Sequence, residues 1–183
     1  MSILTKIRNL RQDNLVSGTD IFTYANSSTF SLSEANISSV TDVYRNDVAS
    51  GVSHTYSSTS NKVTITSALT VGDTVQVDYQ YYEYNSDTEL KAYIQAALTH
   101  IAINGYTTFE YDTTEDEVYP CPTEKEEYII ALIASILIDP DNRSIRLPDV
   151  SIGVPNDMPT DEKITRTIAK FKHGSHGIFD LLG

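Results

Sequence analysis

One stretch of the chain decides the fold class, because two secondary-structure patterns meet in it: residues 74–90, TVQVDYQYYEYNSDTEL. In its first half, apolar side chains alternate with polar ones, which predicts a strand with one buried face. The alternating apolar positions are Val75, Val77, Tyr79 and Tyr81. From Ser86 to Glu89 the pattern is a capping box, in which a hydroxyl and a carboxylate each satisfy an exposed amide at a helix start. The chain therefore changes from β-structure to helix near Asn85.

Upstream of this junction the chain is rich in Ser, Thr, Tyr and Val, with Asn and Gly at the expected turns. Alternation of apolar and polar residues predicts six short strands between Thr19 and Tyr84. They are Asp20–Ala25, Thr29–Leu32, Val40–Arg45, Ser53–Ser57, Lys62–Thr66 and Thr74–Tyr82. Six short strands in one segment are typical of a compact antiparallel barrel or sandwich.

Helical periodicity occupies the rest of the chain and predicts four helices. The first covers residues 2–13, the second runs from Ser86 to a stop at Gly105, the third from a capping box at Thr123 to about Ile138, and the fourth from Pro159 to Gly174. In the first helix we expect one apolar face, with the basic residues elsewhere and Ser17-Gly18 as the terminator. The third is apolar almost all round, which predicts a central position.

The predicted fold class is therefore α+β, a small helical bundle with an inserted antiparallel β-barrel or sandwich module. Residues 1–18 and 85–183 are expected to form the bundle with a flexible C-terminal tail. Residues 19–84 are expected to form the β-rich insertion. The first helix is thus separated in sequence from its bundle partners by the whole insertion.

The charge distribution argues against nucleic-acid binding as the main function. The chain carries a formal net charge of −12 and a pI near 4.5, so it offers little basic surface to a phosphate backbone. Both ends are basic, since residues 1–18 carry +2 and residues 163–183 carry +3, which leaves −17 for residues 19–162. Two interpretations stay open: solubility and helix-end electrostatics, or a basic tail that docks on an acidic partner.

Features of catalysis and secretion are absent from the sequence. Cys121 is the single cysteine, so no internal disulfide can form, and the first residues lack the apolar run of a signal peptide. We therefore expect synthesis in the cytoplasm. No Gly-x-Ser-x-Gly elbow, Walker-type loop or Cys/His cluster is present. We predict a non-enzymatic protein with no cofactor, no metal site and no membrane association.

Three groups of residues are candidates for interaction. The first group is an acidic run at residues 110–117. It is open to three interpretations: a solvated loop, weak binding of a divalent cation, or repulsion of DNA along a channel. The candidates for facing such a channel are Glu115, Asp116 and Glu117. Tyr82 and Tyr84 lie on the strand face opposite Tyr79 and Tyr81, and are candidates for an interface. The third group is the C-terminal tail, where cations precede exposed apolar residues, a combination typical of a docking segment. Its members are Lys170, Lys172, Ile178, Phe179, Leu181 and Leu182.

Two stretches carry a resemblance to known proteins. Residues 85–97, NSDTELKAYIQAA, resemble the opening bundle helix of head–tail connector (adaptor) proteins of long-tailed bacteriophages. Residues 63–65 and 69–79, VTI and LTVGDTVQVDY, resemble a small β module widespread in phage structural proteins. The β insertion departs from the plain bundle of the simplest adaptors.

The resemblance implies a virion protein at the head–tail junction. Its copies would form a homo-oligomeric ring, typically twelvefold, below the portal protein, with the C-terminal segment docked on the portal. The ring would carry the next neck or tail-completion protein, and DNA would pass through it without specific binding. The alternative function is a carbohydrate- or surface-binding virion module, in which the tyrosines of the insertion stack on sugar rings.

Overall fold

A computed structural model describes residues 2–48, 52–113, 115, 117–140, 144–147, 150–153 and 158–173. The chain divides into two compact units, a helical unit of Met1–Gln12 with Asp87–Gly183 and a β module of Asp13–Ser86. The predicted α+β class is confirmed, because both helices and antiparallel sheets are present. None of the described helices is long and apolar enough to cross a membrane.

The first helix, α1, spans Ile3–Arg11, and its ends are defined by side-chain and backbone capping. The Ser2 hydroxyl accepts a hydrogen bond from the Thr5 amide, which satisfies one of the exposed donors at the start. Gln12 adopts a left-handed conformation with φ of 57° and ends the helix. The predicted terminator, Ser17-Gly18, is wrong: both residues lie inside the first strand.

The β module consists of two three-stranded antiparallel sheets. The first has the order β1-β6-β3, formed by Leu15–Thr23, Thr74–Tyr82 and Ile37–Arg45. The second has the order β2-β5-β4, formed by Thr29–Ser31, Lys62–Ile65 and His54–Ser57. All six predicted strands are found, with β1 starting five residues earlier than expected. Among the described strands neither sheet closes into a barrel.

Side chains from both sheets form one core in the module. Along β6, Val75, Val77 and Tyr79 are buried while their neighbours are not, which confirms the predicted alternation. Phe22 and Phe30 stack with ring centroids 4.8 Å apart. The buried cluster comprises Phe30, Leu32, Val43, Val63, Ile65, Val75, Val77 and Tyr79.

The helical unit is built around α3. The later helices are α2, Asp87–Ile103, α3, Glu124–Ile138, and α4, Thr160–His173. Every residue of α3 from Ile129 to Ile136 is buried, which confirms its predicted central position. The capping box at Thr123 is also confirmed: its hydroxyl accepts from the Glu126 amide while the Glu126 carboxylate accepts from the Thr123 amide.

Two hairpins were not expected from the sequence. β7, Glu110–Asp112, pairs with β8, Glu117–Tyr119, in the acidic run for which a solvated loop was one of three interpretations. β9, Ser144–Leu147, pairs with β10, Val150–Gly153, between α3 and α4.

Candidate assembly surfaces

The basic residues of α1, Lys6, Arg8 and Arg11, form ion pairs within the helical unit. We expected them away from the apolar face, and Lys6 and Arg8 are nonetheless buried, at only 3% and 6% exposed. Lys6 Nζ lies 2.5 Å from Glu127 Oε2 on α3, and 4.3 Å from the centre of the Tyr128 ring. Long aliphatic stems let these side chains cross a buried surface and still reach a carboxylate.

Two more ion pairs lie along α1. Arg8 Nη2 lies 2.6 Å from Asp87 Oδ1, in the first turn of α2. Arg11 Nη1 lies 2.9 Å from Asp139 Oδ2, just after α3. Each pair joins groups distant in sequence. The positive charge of the N-terminal segment is therefore used inside the helical unit, and does not form a docking surface.

The fourth helix uses some of its positive charge in the same way. Lys163 is 5% exposed and donates from Nζ to the Pro140 carbonyl at 2.6 Å. Arg166 pairs with Glu162 one turn earlier at 2.7 Å. Lys170 is exposed on the described part of the helix. Of the remaining predicted docking residues, the Lys172 side chain lies outside the described part of the chain, as do Ile178, Phe179, Leu181 and Leu182.

The helical unit presents an acidic surface, because its cations are largely consumed by these contacts. Among its described residues, eight carboxylates are in the exposed class against three cations. The carboxylates are Asp87, Glu89, Glu110, Glu115, Glu117, Glu124, Asp161 and Glu162; the cations are Lys125, Arg166 and Lys170. Such a surface repels polyanions at low and moderate salt.

The β7–β8 hairpin displays three of these carboxylates, those of Glu110, Glu115 and Glu117. Val118 is buried and anchors β8 in the helical core, so its neighbours Glu117 and Tyr119 point outward. The Tyr119 hydroxyl lies 2.7 Å from Glu115 Oε2 and 2.9 Å from Glu117 Oε2. Hydrogen bonding to these two carboxylates, that of Glu115 first, raises the pKa of Tyr119 to about 12. The third channel candidate, Asp116, lies outside the described residues.

This hairpin bears on the alternatives for the acidic run. The described part of the run forms a hairpin, and its exposed carboxylates are solvated as in the loop that was one expectation. Within the described ranges, no group of three or more His, Cys, Asp or Glu side chains is arranged to hold a metal ion. Repulsion of a polyanion remains compatible with its three exposed carboxylates, among the residues that the structure describes.

A groove of about 360 Å³ lies beside the hairpin in the helical unit. Its lining includes the exposed thiol of Cys121 and the carboxylates of Glu117 and Glu127, the second of which is paired with Lys6. No histidine is among the lining residues.

The tyrosines at the end of β6 differ in exposure. Tyr79 is buried and Tyr81 is half-buried against the same core, with ring centroids 6.1 Å apart. Tyr82 lies on the opposite face, directly across from Leu15 of β1 and half-buried. Tyr84, just after the strand, is 60% exposed. Leu15 with these two outward tyrosines gives the module an apolar edge.

No family model matches this chain, and no curated protein matches it in sequence.

Proposed function

We propose that this chain is a non-enzymatic structural protein of a virion, a head-to-tail adaptor whose copies form a ring between the portal and the neck or tail. The observation that carries the proposal is the consumption of basic side chains inside the helical unit. With Lys6, Arg8 and Lys163 buried, the exposed charge of that unit is predominantly acidic. The resemblance to phage adaptors supports the proposal for the helices, while the β module departs from the plain bundle of the simplest adaptors.

An acidic wall suits a channel through which DNA must slide. Duplex DNA binds proteins mainly by exchanging its counterions for Lys and Arg side chains. A wall that offers carboxylates such as Glu115 and Glu117 gives no such exchange, so DNA passes without specific binding. In the proposed ring the β7–β8 hairpin faces this channel.

The contact with the portal is assigned to the end of α4 and the segment after it. Lys170 and Lys172 attract an acidic partner at long range, and four apolar side chains in residues 178–182 supply burial on arrival. Complete burial of each is worth roughly 1.5–3 kcal/mol, less the cost of ordering the segment. Repetition around a ring turns a weak contact per subunit into a firm one.

The β module is proposed to be a sandwich that contacts a neck or tail-completion protein or a neighbouring copy. Support comes from the single buried cluster, to which both three-stranded sheets contribute. Tyr82 and Tyr84 are the proposed interface residues, since each offers apolar area with a hydroxyl at its rim.

The arrangement of the tyrosines argues against the carbohydrate-binding alternative. A stacking platform needs exposed ring faces. Of the seven tyrosines in residues 13–86, all of them described, Tyr84 alone is in the exposed class. A single exposed ring is a poor platform, so adaptor assembly is the better proposal.

The test is assembly with a portal. The full chain and a chain truncated after Gly174 are each mixed with the portal protein from the same genome, and the complexes are sized by light scattering. We expect the full chain to form rings that co-elute with the portal, and the truncated chain to stay folded by circular dichroism but not co-elute. Full-length protein that stays monomeric and ignores the portal contradicts the adaptor role. A sugar titration that quenches tyrosine fluorescence instead supports the alternative.

A further inference from the structure

The first strand of the module forms an open edge of its sheet. In the part of the chain that the structure describes, β1 pairs with β6 alone, through nine consecutive residue pairs without a register shift. Its sequence, LVSGTDIFT, contains no lysine or proline, the residues that proteins commonly use to block edge strands. The exposed side chains include Ile21, 66% exposed, and Leu15, 45% exposed.

The hydrogen bonds of β6 determine which backbone groups of β1 point outward. The Tyr82 amide donates to the Asn36 carbonyl at 3.1 Å and the Thr74 carbonyl accepts from the Asn46 amide at 2.9 Å, so even-numbered residues of β6 direct their backbone groups towards β3. Odd-numbered residues of β6 therefore serve β1, and their partners there are even-numbered. The odd-numbered residues of β1 direct their N–H and C=O groups to the open edge. These residues are Leu15, Ser17, Thr19, Ile21 and Thr23.

The other edge of the same sheet is protected. Strand β3 is irregular at two places, between Ile37 and Ser39 and between Val40 and Asp42, which interrupts its ladder. At its end the Arg45 amide donates to the Val48 carbonyl, so this outward group is already used. Two edges of one sheet thus differ, and only β1 offers a regular template.

We propose that β1 pairs antiparallel with β1 of a second copy of this chain, about a two-fold axis at Thr19. Placing Thr19 opposite its own copy gives the longest overlap, because Thr19 is the central residue of the nine. Five facing pairs then each exchange two hydrogen bonds across the edge. A shift of the axis to residue 17 or 21 leaves part of each strand unpaired.

The side chains are self-complementary in this register. On the exposed face, Leu15 meets Thr23 of the other copy and Ser17 meets Ile21. Thr19 meets Thr19, and each of these hydroxyls donates to Asp78 of its own module at 2.8 Å. On the inner face Asp20 meets Gly18, so the two carboxylates do not oppose each other. Asp20 is also satisfied within its own module, where its carboxylate accepts from the Ser33 amide and hydroxyl, both at 2.7 Å.

This contact is different from the one that closes a ring. A two-fold contact uses the same surface on both copies, whereas a cyclic ring of more than two subunits uses two different surfaces. The pairing therefore joins copies two by two, and joins two rings back to back if rings form. It does not depend on the proposed function, since it rests on the β module alone.

A charge-swap experiment tests the pairing in the full-length chain. Thr19→Lys and Thr19→Glu each place like charges across the axis, so we expect each variant alone to self-associate more weakly than wild type, by about fivefold for Thr19→Glu. The effect of Thr19→Lys should be smaller, because Asp78 lies across from residue 19 on β6 and offsets the added positive charge. An equimolar mixture should form mixed pairs, detected by native mass spectrometry, about tenfold more tightly than either variant pairs with itself. The matched control is Ser39→Lys on β3, which adds the same charge at the other edge and should leave pairing unchanged. Circular dichroism checks the fold. If a Thr19 variant fails to fold, Ser17→Lys in one copy and Ile21→Glu in the other replace it, since these two positions face each other and the mixture should form mixed pairs more tightly than either variant pairs with itself.

A second measurement locates the axis. In a Cys121→Ser background, a nitroxide label at Thr19→Cys should report a short distance between copies, and a label at Ser39→Cys a longer one. Charge variants that associate like wild type, mixtures without mixed pairs, or equal distances from the two labels overturn the proposal. Rings that form normally from the Thr19→Lys variant leave the adaptor role intact, and failure to bind the portal leaves the pairing result intact.

Discussion

Gly18 provides the sharpest test of the packing in the β module. A Cβ added at Gly18 would lie 2.5 Å from Cε2 and 2.8 Å from Cζ of Tyr79, whose ring covers the glycine. Tyr79 is 1% exposed, and its hydroxyl lies 3.2 Å from Asp20 Oδ2 and 3.1 Å from Ser33 Oγ. The Tyr79 ring is therefore enclosed, and it cannot move away from an added Cβ without weakening its two hydrogen bonds.

The expected magnitude follows from two opposing effects. Replacing a strand glycine by alanine removes backbone freedom from the unfolded chain and by itself stabilises by about 0.5–1 kcal/mol. Overpacking of a filled core costs about 1–3 kcal/mol, and weakened hydrogen bonds of the Tyr79 hydroxyl add about 0.5–1.5 kcal/mol each. We expect Gly18→Ala to lower the free energy of unfolding of the module by about 2 kcal/mol.

The assay must distinguish the two units. Urea unfolding is followed by the amide resonances of Val75 and Val77 for the module, and by far-ultraviolet circular dichroism for the helices. Ser17→Ala, on the exposed face of the same strand, is the control and should change the free energy of unfolding of the module by less than about 1 kcal/mol. Adding Tyr79→Leu to Gly18→Ala should cost less than the two single changes together, since the clash is gone. If Gly18→Ala is as stable as wild type or more so, the proposed contact is refuted.

Two further predictions concern the helical unit. Glu127→Gln leaves the Lys6 ammonium buried without its carboxylate and should destabilise the unit by about 2 kcal/mol or more in thermal unfolding. Arg166→Gln, which breaks an exposed ion pair, is the control and should cost at most about 0.5 kcal/mol. Equal losses of stability in the two variants would contradict a stabilising role for the Lys6–Glu127 ion pair. The pKa of Tyr119 is raised to about 12 in the folded protein. The stability that its hydrogen bonds contribute is therefore complete below the unfolded pKa near 10 and is lost as the pH rises through 12. In an ultraviolet titration Glu115→Gln should lower the pKa of Tyr119, and an unchanged pKa rules out the Glu115 hydrogen bond as its cause.

The ion-paired basic residues of α1 help to explain why this helix belongs to the helical unit. Helix α1 belongs to the helical unit although residues 13–86 separate it from α2. Its apolar face, with Ile7 and Leu10 buried, attaches it to α3, and its ion pairs determine the position along the helix. The covalent order of the chain therefore requires the β module to begin and end at the same unit.

Much of the secondary structure and the core was determined by the sequence itself. The apolar period of two residues placed all six strands of the module, and the period of 3.6 placed the four helices. The uniform apolar composition of α3 indicated its central position, and Thr123 with Glu126 indicated its start. These properties lie within windows of a few residues, so local chemistry suffices to read them.

Tertiary structure decided the rest, because the deciding partners are distant in sequence. Lys6 looks like a surface cation until folding brings Glu127, 121 residues later, to its ammonium group. Gly18 looks like a helix terminator until the Tyr79 ring is placed on it, and the interior of a strand then requires it. Alternation likewise predicts β1 as a strand, but only the sheet order makes it an edge. No local pattern encodes which distant group fills a given space, so these roles follow from packing.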